Sequence, residues 1–219
     1  MRGLACGIAI TVMVFLLSGC NIPLSLQPFH TEKDRVAMQE KVAGPWQLTV
    51  YVGKEWEGED TRPWVFSGNQ SAVKLETYDA KNRRALLDIA FFNSGKALFC
   101  DIFPGDSDRQ DQDSEILELH MIPCHSVAKV FVTPERLKFF FLNFEWLESE
   151  LEKGNVKLRR IETETHRLLL FDEPPETWKS FLLEHGDNPE AFPEKTRIEL
   201  IRPNPAEPEP KDKALKSPP

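Results

Sequence analysis

Trp46-Gln47-Leu48-Thr49-Val50-Tyr51-Val52 decides the fold. Leu48, Val50 and Val52 alternate with Gln47, Thr49 and Tyr51, a period of two that suits a strand with one buried and one wet face. The same alternation returns further on, with Val73, Leu75 and Thr77 set against Lys74, Glu76 and Tyr78. Ala85–Phe92, Ala97–Phe103, Glu115–Ile122, His125–Val132 and Leu137–Asn143 follow as strand-like runs. Turn chemistry separates several of them. Asn93-Ser94-Gly95-Lys96 joins one pair, and Thr133-Pro134-Glu135-Arg136 joins another with Pro134 at the second position of a type I turn. Val156–Ile161, His166–Phe171 and Thr196–Ile201 resume the strand pattern, while Glu55–Asn69, with Trp56, Trp64 and Phe66, is a long connection.

Helical periods are few. Thr31 with Asp34 has the form of a capping box and opens an expected helix over Glu32–Ala43, stopped by Gly44-Pro45. Phe144–Lys153 puts Trp146, Leu147 and Leu151 on one side and stops at Gly154. Pro174-Pro175 starts another helix in which Trp178, Phe181 and Leu182 have i, i+3, i+4 spacing, ending at Gly186. Eight or more short antiparallel strands with few helices have unpaired edges to manage, and closing into a barrel removes them. The expected fold is mainly β, an antiparallel up-and-down barrel over residues 44–202 with a helix before the last strand. Residues 203–219, rich in Pro, Glu and Lys, form a tail expected to be disordered.

At the other end, Arg2 and the apolar run Ile8–Leu17 make a short positive region and a hydrophobic stretch too short to span a bilayer. That run ends on Leu17-Ser18-Gly19-Cys20. The sequence resembles the lipobox of bacterial lipoproteins. The resemblance implies a signal peptide over residues 1–19, thioether lipidation of Cys20 and acylation of the new N-terminus. Two or three acyl chains, at about 0.8 kcal/mol per buried methylene, hold a protein on a membrane. Asn21, in place of the Asp that favours inner-membrane retention in enteric bacteria, points to the outer membrane with the domain facing the periplasm. Residues 20–43 are expected as a tether and short helix. With a net charge of −8 and pI near 5.3, nothing marks a nucleic-acid or anionic-lipid surface.

Gly44-Pro45-Trp46 at the head of the first strand resembles the G-x-W of lipocalins, and Trp178–Leu183 sits where the lipocalin helix precedes the last strand. The runs around Phe99-Cys100-Asp101, His125–Val132 and Glu145-Trp146-Leu147 are similar to bacterial lipoproteins with lipocalin-like barrels. The family implies that Gly44 and Trp46 close the barrel floor, with an Arg stacked on the ring. Arg202 is the candidate for that Arg, and Arg197 the second. It also allows a carrier function, in which a small lipophilic ligand fills the barrel.

Other candidate sites read as structural. Cys100 and Cys124 are either a disulfide, which needs a bulge near Pro123, or two buried free thiols. His120 and His125 lie near Cys124, but adjacent strand residues point to opposite faces. His125 donating to Asp101 is therefore the simpler arrangement, with no metal. Asp106, Asp108, Asp111 and Asp113 lack the Gly and the final Glu of a calcium loop. No nucleophile elbow, phosphate loop or metalloprotease motif occurs, so no catalytic residue and no cofactor is expected. Phe99, Phe103, Val127, Leu137, Phe139 and Phe141 are candidates to line a pocket, or equally to fill a core. The alternative to a carrier is thus a non-catalytic structural or protein-interaction module of the envelope.

Overall fold

The structure, a computed structural model, describes residues 22–55, 62–69, 72–78, 84–105, 123–162 and 168–203. Cys20 and the lipobox, Trp56, the aspartates at 106, 108, 111 and 113, the expected strand Glu115–Ile122 with His120, and the tail from residue 204 lie outside them. In chain order the strands are β1 (Leu24–Ser25), β2 (Gly44–Tyr51), β3 (Lys54–Glu55), β4 (Trp64–Asn69), β5 (Ala72–Tyr78), β6 (Arg84–Ser94), β7 (Ala97–Pro104), β8 (Ser126–Val132), β9 (Arg136–Phe141), β10 (Arg160–Ile161), β11 (Leu170–Phe171) and β12 (Arg197–Ile201). The helices are α1 (Gln39–Val42), α2 (Phe144–Glu152) and α3 (Pro175–His185).

Eight strands among the described residues close a lipocalin-like antiparallel barrel. β2, β4, β5, β6, β7, β8 and β9 pair in sequence order, and β12 pairs with β9 on one side and β2 on the other. The closing seam carries an irregularity between Glu199 and Leu200, where the register with β2 shifts. β3 is a short ribbon beside β2. The period of two then separates two cores. Trp46, Leu48, Phe66, Val73, Leu75, Leu87, Ile89, Phe91, Cys100, Ile102, Ala128, Val130, Leu137, Phe139, Ile198 and Leu200 fill one cluster inside the barrel. The alternate residues of β6–β9, including Phe92, Phe99, Val127 and Phe140, point outward. They pack beneath Phe29, Trp146, Leu147, Trp178, Phe181 and Leu182 in a second core.

α2 and α3 form where their sequence signals predict. Asn143 caps α2, its Oδ1 accepting from the Glu145 amide at 3.2 Å. Pro175 occupies the first turn of α3, and the Gly186 amide donates to Leu182 O at 2.9 Å at the other end.

The structure corrects four expectations. The helix over Glu32–Ala43 is split into a 3-10 turn at Glu32–Asp34 and the four-residue α1. The Val36 amide donates to Phe91 O at 2.9 Å, and Arg35 bridges to Phe92, so this stretch follows the barrel wall in extended form. The capping box of Thr31 and Asp34 is present nonetheless. Second, the long connection Glu55–Asn69 contains β4, which Pro63, Gly68 and the mixed apolar pattern disguised. Third, the described parts of the runs Val156–Ile161 and His166–Phe171 do not join the barrel: β10 and β11 form a separate three-stranded sheet with β1. Fourth, the tether is bound down from Leu24 onward. The Leu24 amide donates to Leu169 O at 2.8 Å, and Ser25 exchanges both backbone hydrogen bonds with His125.

Candidate functional site

Three features of the barrel bear on function: its floor, its lumen and a buried polar clasp on its wall. At the floor, the chain enters β2 through Gly44 at φ +100°, a conformation that glycine adopts without steric cost. Trp46 follows, fully buried, its indole N–H donating to Val42 O at 2.7 Å. Arg202 lies over the ring with its guanidinium carbon 4.3 Å from the centroid. The guanidinium donates to Ala43 O (3.0 Å), Lys41 O (2.9 Å) and Pro134 O (3.0 Å). It therefore ties the entry to β2, the β8–β9 turn and the exit from β12 into one plate. Arg197, the second candidate, stands at the far end of β12 and ion-pairs with Glu194 and Glu199.

The lumen is occupied by side chains. Phe66 of β4 and Phe139 of β9, separated by β12 and β2 around the wall, stack nearly parallel with centroids 6.4 Å apart. Trp46, Trp64, Phe91 and the aliphatic residues pack around that pair. The six pocket candidates do not come together. Leu137, Phe139 and Phe141 face the lumen, whereas Phe99 and Val127 belong to the outer core and Phe103 packs against His125 with centroids 4.5 Å apart. The reason is register: Phe99 and Phe103 share the outward parity of Asp101, opposite to Cys100 and Ile102. The same parity separates the cysteines. Cys100 is buried in the lumen and Cys124 in a small outer cluster with Leu24 and Leu170, so the wall stands between two free thiols and no disulfide forms. Burial raises the pKa of both thiols.

Asp101 is the polar centre of the outer wall. It is buried, yet both carboxylate oxygens have partners. Oδ2 accepts from the Phe29 amide at 2.9 Å and meets His30 Nδ1 at 3.2 Å, while Oδ1 meets His125 Nδ1 at 2.7 Å. The Arg35 Nε–H donates to His30 Nε2 at 2.9 Å, so the proton of that ring belongs on Nδ1, facing Asp101. Burial pushes the Asp101 carboxyl upward, but the hydrogen bonds from His125 and His30 outweigh it and hold the pKa below the usual value. Sequence pattern found the His125–Asp101 contact; it missed His30, since nothing local places residue 30 beside residue 101. Trp178 extends the clasp, donating to Ser25 Oγ at 3.0 Å while Phe29 packs on its ring at 4.4 Å.

This constellation fastens the N-terminal segment to the barrel wall. Both imidazoles spend a ring nitrogen on Asp101, and His30 spends the other on Arg35. Comparison with protein-family models, curated proteins and solved structures returns no match for this chain.

Proposed function

We propose that the protein is a lipid-anchored lipoprotein of the bacterial cell envelope, attached through Cys20, in which the barrel serves as a non-catalytic structural or protein-interaction module. The observation that carries the choice of module over carrier is the Phe66–Phe139 stack across the lumen. A ligand-binding barrel needs its centre open, and here two buried aromatic rings hold it. The anchor rests on the lipobox-like Leu17-Ser18-Gly19-Cys20 and its preceding apolar run. The outer membrane, with the domain facing the periplasm, is the location that Asn21 favours.

The test is mass spectrometry of the protein purified from its host membranes. The expected denatured mass lacks residues 1–19 and carries acyl chains on Cys20, and Cys20→Ser leaves the membrane fraction. The expected native mass equals the denatured one. A small molecule that is present natively and lost on denaturation overturns the module reading.

One observation favours the carrier as a second reading. Thr77 alternates with Val73 and Leu75 on the lumen face of β5, and its hydroxyl is buried without a hydrogen-bond partner. Such an orphan costs about 1–3 kcal/mol, which a polar atom of a ligand would recover. Thr77→Val separates the readings. In a filled barrel it is neutral or stabilising to unfolding by urea, whereas in a carrier it also loses a ligand seen in the native mass of the parent.

A further inference from the structure

The two ends of the barrel can be told apart by register. β8 runs from Ser126 to Val132 and turns through Thr133–Glu135, where Pro134 O accepts from Arg202 above Trp46. That end is the floor. The start of β8 is therefore at the opposite rim, and His125, immediately before it, exchanges two backbone hydrogen bonds with Ser25 at 2.8 and 2.9 Å. The N-terminal segment thus arrives at the rim away from the floor. It is then fastened along the wall by β1, by the Asp101 clasp and by Phe29, which is fully buried.

Only Asn21, Ile22 and Pro23 lie between Cys20 and the first paired residue, Leu24. Four chain steps span at most about 14 Å even when fully extended. A strand of seven residues rises about 23 Å along its axis, and the tilt of barrel strands leaves about 17 Å of height between rim and floor. So short a leash leaves the rim near the bilayer and the floor a barrel's height beyond it. The surface beside the leash suits that neighbour. Leu26, like Phe131 and Leu183, is a large apolar residue left exposed among the described residues, at 39 %, and its amide donates to Phe171 O. Next to Phe171, Asp172 ion-pairs with Arg159, whose side chain is 71 % exposed. An apolar side chain and a guanidinium, both attached to the Phe171–Asp172 stretch, fit the interface of lipid tails and phosphate headgroups.

We infer that the docked N-terminal segment orients the domain on the membrane. The rim that holds Leu24–Ser25, with Leu26 and Arg159 beside it, faces the bilayer, and the Trp46–Arg202 floor points away. The inference rests on the anchoring of Cys20 proposed above. It adds that the lipoprotein has a fixed membrane face and a fixed outward face, so that a partner in the periplasm meets the floor turns.

The test uses the full-length acylated protein in vesicles of phosphatidylethanolamine and phosphatidylglycerol containing a lipid with a nitroxide on its headgroup. A fluorophore is attached to a cysteine introduced by Pro123→Cys at the rim or Glu135→Cys at the floor, both exposed positions. Cys100 and Cys124 are buried and stay unlabelled, which the parent protein checks. The expected result is several-fold stronger quenching at position 123 than at 135. Insertion of about twelve Gly/Ser residues after Asn21, reaching about 20 Å, removes that difference. Equal quenching at both positions, or stronger quenching at 135, overturns the orientation while leaving the anchor intact. A mass without acyl chains on Cys20 overturns the anchor and the orientation with it.

Discussion

Arg202 joins distant parts of the chain through one side chain. Its guanidinium satisfies three carbonyls, two at the entry to β2 and one in the β8–β9 turn, and covers the Trp46 ring. Arg202→Ala is expected to cost about 2–4 kcal/mol, since hydrogen bonds in such part-exposed positions are worth about 0.5–1 kcal/mol each and the cation–π contact adds about 1 kcal/mol. Arg202→Lys keeps the charge but not the fork, and is expected to recover less than half of the loss. Urea unfolding of the two variants measures both; equal stability of Arg202→Ala and the parent would mean the floor is held by Trp46 alone. This site was legible in the sequence because a short motif and a cation near the last strand have fixed places in the family pattern. Thr77 was not, because alternation shows which face a residue takes but not whether its hydroxyl finds a partner.

At the scale of elements, the segment from Leu24 to Asp34 behaves as a strap rather than a linker. Its acidic contacts make it sensitive to pH. Asp34, bound by Lys179 of α3 and by Thr31, is held down from 3.8 to about 2, and Asp101 is also held below its ordinary value. A carboxylate with a lowered folded-state pKa stabilises the fold fully above its unfolded pKa, and that stabilisation is lost as pH falls through the folded value. The melting temperature is therefore expected to fall between about pH 4 and pH 2, with amide protons of residues 25–36 exchanging first in hydrogen-exchange mass spectrometry. Asp101→Asn puts an amide donor where two ring N–H groups and a backbone amide all need an acceptor. It is expected to cost about 2–3 kcal/mol and to expose the strap to protease at pH 7, where the parent resists. Protection at residues 25–36 unchanged by the substitution would show that Phe29 and Trp178 hold the strap unaided. The sequence showed the strands with clean alternation and the helices with caps. It concealed this strap, because a Pro-bearing stretch without period reads as a linker unless its distant partners are known. β4 was hidden for a related reason, as Gly68 and Asn69 carry turn chemistry within a strand.

For the molecule as a whole, the closed barrel was legible and its contents were not. Counting strands and matching apolar faces leads to closure, but whether the enclosed bulk leaves a void depends on which rings meet across the lumen. Phe139→Ala is expected to destabilise by about 3–5 kcal/mol and to open a dry cavity beside Phe66. If the variant folds, it should take up a hydrophobic fluorescent dye that the parent excludes; dye binding by the parent would show that the barrel already has room. The seam between β12 and β2 has a further consequence. Thr49 Oγ1 donates to Glu199 O across a sequence separation of 150 residues, and that ladder is the one by which the barrel shuts. A chain emerging from the ribosome N-terminus first has no closed cylinder until its last strand is synthesised, and loop-closure entropy makes so distant a pairing late and slow. The newly made polypeptide consequently stays open for most of its synthesis. On the proposal that the chain is exported, late closure would keep it thin enough to be threaded through a translocation pore.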